Sequence, residues 1–162
     1  MDLKEIRRQD ADRLAPLVAD FRVTLNGYRG ISSQPRVEAA REEIGEFLDA
    51  GFPSDAVEDG GELLGSMVCR MDAPCLWVEH LYVRESYRRK GGATLLFEKA
   101  EALAAAMGED TVFNFVHPNN LGMIAFLRSK GYSVLNMIEI RKPYPGEQLQ
   151  TTIPVGDAVF DY

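Results

Sequence analysis

The hydrophobic pattern of the chain changes period across residues 84–92, and that change limits what it can fold into. Upstream, residues 55–58, 62–71 and 75–83 read as strands separated by Asp59-Gly60-Gly61 and Asp72-Ala73-Pro74, which gives an antiparallel meander. Downstream, Leu96, Ala100, Leu103 and Met107 recur at helical spacing between Gly92 and Gly108. Residues 111–116 then form a short, nearly continuous apolar run, the pattern of a buried strand that follows a crossover. A meander that passes through a helix into another strand calls for a mixed sheet, antiparallel at first and then extended by one βαβ crossover.

The flanks fit that frame. Residues 3–8 open with a strand, and Asp10 can cap a helix carrying Leu14, Leu17, Val18, Phe21 and Leu25 on one face, with Pro16 as a kink or its true start. The run Asn26-Gly27-Tyr28-Arg29-Gly30 is expected to break it. Ser32 and Ser33 are candidate caps for a second helix, marked by Val37, Ala40, Ile44, Phe47 and Leu48 and ending near Gly51. A compact helix is predicted over 120–130 with Gly131 as terminator, and residues 133–141 read as a final strand. A last strand near 158–160 falls in a tail that starts at Pro143. The fold class is α/β (α+β), a mixed, mostly antiparallel sheet with helices on both faces. Phe113, Phe115 and Phe126 read as core.

The 162 residues suit one domain spanning 1–162, with 143–162 as a C-terminal tail. The longest apolar stretches fall far short of the roughly 20 residues that cross a bilayer, and the amino terminus lacks a signal peptide's apolar core, so no membrane partner and a cytoplasmic address are expected. Cys69, Cys75, His80 and His117 stand at spacings that suit neither a disulfide framework nor a zinc site, so no metal is expected. A net charge of −7 argues against a nucleic-acid partner. Its distribution is uneven: residues 36–62 hold nine acids against two arginines, whereas 84–90 hold Arg84, Arg88, Arg89 and Lys90 against Glu85. A small anion bound at one place suits this arrangement.

That place is the turn from Val83 to Thr94. Gly91-Gly92 lets the backbone approach a ligand, the start of the following helix leaves N–H groups unpaired, and its dipole favours an anion such as a pyrophosphate. Simple turn chemistry is the competing reading of the same residues. Neither a Walker loop nor a dinucleotide fingerprint is present.

Arg88-x-x-Gly91-x-Ala93, set eight residues from Val83 to Gly91, resembles the acyl-CoA signature of the GNAT superfamily of N-acetyltransferases. Residues 120–132, Asn-Leu-Gly-Met-Ile-Ala-Phe-Leu-Arg-Ser-Lys-Gly-Tyr, are similar to the later helix of the same family, and the element order agrees over about residues 3–142. The resemblance implies acetyl-CoA in a V-shaped cleft between the strand ending at Val83 and the next one. The main chain of Leu81, Tyr82 and Val83 would pair with the pantetheine amides. Arg88, Arg89, Lys90, Gly91, Gly92, Ala93 and Thr94 would wrap the pyrophosphate, with Arg89 or Lys90 near the adenosine phosphate, and Asn120 would bond the pantetheine arm.

Strand alternation puts Trp77, Glu79, Leu81 and Val83 on one face and Val78, His80 and Tyr82 on the other. By its place four residues before Val83, Glu79 is the family-implied candidate base; a solvated or arginine-paired carboxylate is the alternative. His80 reads as packed. Leu127 stands where the family often has a tyrosine acid, so Tyr132, Tyr87, Ser129 or water is left to protonate the thiolate. Tyr28 and Arg29, with Arg36 nearby, are candidate clamps for the acceptor. The acidic second helix either attracts a cationic acceptor or is a solvated face. The expected activity is acetyl transfer from acetyl-CoA to a small-molecule primary amine. The alternatives are protein or peptide acetylation at an amino terminus or lysine, and a non-catalytic acetyl-CoA-binding module. The resemblance also allows a homodimer.

Overall fold

The computed structural model describes residues 1–149 and 151–162. The described chain divides into two compact units, Met1–Phe126 and Leu127–Tyr162. The first holds β1 (Asp2–Glu5), α1 (Ala11–Tyr28), α2 (Val37–Asp49), β2 (Ser54–Asp59), β3 (Glu62–Asp72), β4 (Cys75–Val83), α3 (Gly92–Ala106) and β5 (Phe113–Asn114). The helix α4 (Leu121–Ser129) follows, and the second unit carries the hairpin β6 (Thr152–Val155) and β7 (Ala158–Asp161). The main sheet runs β1-β2-β3-β4-β5. Its first three pairings are antiparallel, and β4–β5 is parallel, as a crossover through α3 requires.

Both faces of this sheet are covered, by different chemistry. Beneath α1 and α2, Ile6, Leu14, Leu17, Val18, Ile44 and Ala56 belong to one buried cluster. On the other face α3 comes so close that a Cβ on Gly92 would stand 3.3 Å from Val57 Cγ2. A Cβ on Gly65 would meet the Tyr82 carbonyl oxygen and Val83 Cγ2, each at 2.8 Å. Gly92 therefore sets how closely the first turn of α3 sits on β2 and the end of β4, and Gly65 how closely β3 lies against that same end of β4.

Several elements depart from the sequence reading. The first helix runs through Asn26-Gly27 to Tyr28; the Asn26 carbonyl then collects the N–H groups of Arg29 and Ile31, and left-handed Gly30 ends the run. Neither Ser32 nor Ser33 caps α2: its N-cap is Arg36, and the Ser33 hydroxyl accepts from Asn26 Nδ2 at 3.0 Å. The apolar run 111–116 forms only a two-residue strand. Residues 133–141 are not a strand among the described residues, and Val134, Leu135, Met137 and Ile140 are exposed, Val134 at 85%. Their β-propensity measures fit to a neighbouring strand, and none pairs with them. The hairpin partner at 152–155 was not anticipated.

Candidate active site

The turn into α3 is built to present main-chain donors. Arg89 and Gly91 both adopt left-handed backbone, at φ 61° and 90°. The first helical bond is Leu95 N–H to the Gly91 carbonyl at 3.0 Å. Among the described residues, the N–H groups of 89–94 meet no main-chain acceptor. The Arg88 N–H is already committed to the Glu85 carbonyl at 3.2 Å, so the free run begins one residue later than the sequence suggested. A row of unpaired donors at a helix N-terminus, on a left-handed bend, favours an anion through both hydrogen bonds and the helix dipole.

The cations around it divide their work. Arg84 pairs with Glu62 at 2.7 Å, and Lys90 lies over the Tyr87 ring at 4.8 Å. Arg88 donates from Nε to the Val83 carbonyl at 3.0 Å and rests over Tyr82 at 5.8 Å, so its side chain braces the end of β4. Arg89 has no partner among the described residues, which leaves its charge available to a ligand. Helix α4 begins differently: Asn120 Oδ1 accepts the Met123 N–H at 3.1 Å and caps it. The oxygen of Asn120 is thus engaged by its own helix.

β4 carries a feature that alternation alone misses. His80 lies opposite Val68 but Val78 opposite Cys69, so a bulge at Glu79 shifts the register. Trp77, paired with Arg70, therefore shares a face with His80 and Tyr82, partners of Val68 and Ser66, and not with Leu81 and Val83. The expected grouping of Trp77 and Glu79 with Leu81 and Val83 is corrected accordingly. Glu79 turns toward Arg70, whose Nε donates to Oε1 at 2.5 Å, while Arg70 also reaches Asp72 at 3.1 Å and covers Trp77 at 5.6 Å. The candidate base is an arginine-paired carboxylate, and the bulge leaves the ladder interrupted beside it.

His80 is packed, as its sequence position suggested. It is 2% exposed, touches Phe21 and Phe47, and its Nε2 lies 3.2 Å from Ser66 Oγ, while Nδ1 has no hydrogen-bond partner among the described residues. Burial, reinforced by Arg22, pulls its pKa down to about 3. Cys69 is also buried, and its thiol is pushed up to about 12, chiefly by desolvation, so it is inert as a nucleophile.

β4 and β5 are paired only at Trp77–Phe113 and Val78–Asn114. From Glu79 to Val83 the edge of β4 has no β5 partner, which opens a cleft whose closed end is marked by rings. Trp77 stacks on Phe115 at 4.7 Å and meets Phe113 at 4.9 Å. Phe113 is half-buried and Phe115 is 55% exposed, so these two are not core; Phe126, edge-on to Phe97, is half-buried. Farther along, Tyr28 stacks against His117 at 6.2 Å, and Asn119 Nδ2 donates to the Tyr28 carbonyl at 2.8 Å. Partial burial and nearby Arg29 lower the His117 pKa. The candidate clamps Tyr28 and Arg29 thus sit by the segment that follows β5. Arg36 instead lines a separate cavity of about 230 Å³ between α1 and α2. Leu127 is buried and has no ionisable group.

The acids of α2 are largely engaged. Glu38, Glu43 and Asp49 pair with Arg41, Arg22 and Arg8 respectively. The helix is more nearly a salt-bridged face than an open anionic one. Among the described residues no group of three or more His, Cys, Asp or Glu side chains could hold a metal, and no helix is long and apolar enough to cross a membrane.

The profile of the Acetyltransferase (GNAT) family matches residues 21–132. The chain belongs to that family, whose members use acetyl-CoA. A search of curated proteins finds no match. Among solved structures, the apo aminoglycoside antibiotic 6'-N-acetyltransferase from Acinetobacter haemolyticus has a TM-score of 0.68 at 15% identity, over 89% of this chain and 99% of its own. AAC(6')-Iy, in complex with the bisubstrate analogue CoA-S-monomethyl-acetylneamine, gives 0.69 at 13% identity over 88% and 97%. Ribosomal-protein-alanine N-acetyltransferase from Brucella melitensis gives 0.67 at 18% over 89% and 100%. At these identities the likeness is one of fold.

Proposed function

We propose that this acetyltransferase moves an acetyl group from acetyl-CoA to the primary amine of a small molecule, by direct transfer. The observation that carries the reading is the run of unpaired amides at 89–94, held on a left-handed turn beside a β4 edge that β5 leaves open. Gly91, Gly92, Ala93 and Thr94 would receive the pyrophosphate through main-chain N–H groups, and Arg89 would meet the adenosine phosphate, with Lys90 at the rim. Leu81, Tyr82 and Val83 would pair with the pantetheine amides. The Asn120 side chain retains an amide NH2 for the same arm. Acetyl-CoA supplies the activated thioester. Glu79, one residue past the last β4–β5 pair, would take the ammonium proton directly or through water, with Arg70 fixing its orientation. Residues 1–162 are taken as one acetyltransferase domain, 143–162 being its tail.

Calorimetric titration with acetyl-CoA tests the cofactor site. Gly91→Asp puts a carboxylate among the donors and should weaken binding tenfold or more with the far-ultraviolet spectrum unchanged. Equal affinity in the variant would remove the assigned turn. A second reading, a binding module without turnover, is favoured by the engagement of Glu79 with Arg70 and by Leu127. Thiol release across amines, aminoglycosides and peptide amino termini separates the two.

A further inference from the structure

We propose that the acceptor is a primary amine bearing an aromatic or similarly flat apolar body, which lies against the outer face of Phe115. This rests on the acetyltransferase reading above and names the acceptor class for the same site. The Phe115 ring is backed by Trp77 at 4.7 Å and an interplanar angle of 14°, and the Trp77 ring is in turn flanked by Phe113 and covered by Arg70. A large ring that is 55% exposed yet stacked on a Trp77 that is itself held by Phe113 and Arg70 is a preorganised platform and not a loose surface side chain. It stands where β4 and β5 part, and Glu79 is the first residue beyond. A flat body on the ring therefore brings an attached amine toward the carboxylate and the open edge of β4.

The charges beside the platform argue for the same class. Arg70 engages both Glu79 and Asp72. A polycation such as an aminoglycoside would find both of these carboxylates already sharing one arginine. An amine with one charge and an apolar body needs only Glu79 and gains the ring contact besides, through desolvation and stacking.

The experiment compares 2-phenylethylamine, hexylamine and neamine as acceptors, in wild type and in Phe115→Ala. The expected result is the highest kcat/KM for 2-phenylethylamine, with a KM for that amine raised about tenfold in Phe115→Ala, while the KM for acetyl-CoA stays within twofold. Trp77 is the chain's one tryptophan, so its emission should respond to 2-phenylethylamine without acetyl-CoA and lose that response in the variant. A preference for neamine, an unchanged KM in Phe115→Ala, or a variant that alters only self-association on gel filtration would overturn the proposal. Failure of the underlying reading looks different: acetyl-CoA would not bind to the wild-type protein at all.

Discussion

The two faces of the β3–β4 pair are made by the same strands and do opposite work. Toward α3 they present Met67, Cys69, Leu76, Val78 and Val83, all buried, and glycine where any side chain would collide. Toward α1 and α2 they present Ser66, His80, Arg70, Trp77 and the bulged Glu79, a polar and aromatic set that is only partly covered at its outer end. The first face fixes a distance, because close packing leaves α3 one place to sit and so sets where its free amides stand relative to β4. The second face offers groups that can act on a ligand. The bulge lets one strand serve both, since it turns Trp77 and Glu79 away from the packed side.

The sharpest way to break this division is to spoil the packed face. Gly65→Ala places a methyl group 2.8 Å from a carbonyl oxygen, where the backbone itself must give. About 3 kcal/mol of stability should be lost, read from urea unfolding, and acetyl-CoA affinity should fall with it although Gly65 is nowhere in the proposed binding turn. A loss of stability with full affinity would uncouple the packing from the placement of the amides.

The next effect belongs to the other face and depends on pH. His80 is neutral when folded, with a pKa of about 3 against 6.5 for the free side chain. Its lowered value means that stability is complete above pH 6.5 and drains away as pH falls toward 3, because only the unfolded chain gains the proton. At pH 4.5 the loss is about 2–3 kcal/mol. His80→Leu should flatten this part of the stability profile, and an unaltered acid limb would assign it elsewhere.

How legible all this was in the sequence depended on whether the cause was local. The bounds of β4 and the turn at Gly91 were readable because a strand pattern, glycines and cations lie within a dozen residues. The cap at Asn120 was missed, since the sequence reading put Asn120 inside the helix, although an Asn directly before an apolar helical run is its local signal. The bulge was not readable: register belongs to two strands, and no residue of β4 signals it alone. Gly65 has the same difficulty, since only its cross-strand neighbours make it obligatory. The 133–141 segment failed for the converse reason, as a β-rich string pairs only if an edge is given to it.

A smaller change tests the catalytic side of the comparison. Glu79→Gln keeps the shape but removes the proposed base, so turnover should drop roughly tenfold, mostly at low pH where the acceptor is protonated. The KM for acetyl-CoA should hold. A pH profile parallel to wild type would make Glu79 a partner that orients Arg70 over Trp77 and nothing more.

The smallest effect sharpens the contrast by its sign. Asp55, 3% exposed on β2, has its pKa raised by burial, offset in part by Lys99 and reinforced by Glu5. A raised carboxyl value works opposite to His80: the folded state holds its proton more tightly, so stability is greatest below the unfolded value of 3.8 and declines as pH rises through the folded one. Asp55→Asn removes that penalty. It should raise Tm at neutral pH by less than the acid loss at His80, and the gain should shrink to nothing as pH approaches 3.8. Asp55 stands opposite Met67, which faces α3, so its carboxyl belongs with the packed face. A destabilised Asp55→Asn protein would mean instead that the charge is compensated there, most directly by Lys99, and that the packed face tolerates an ion.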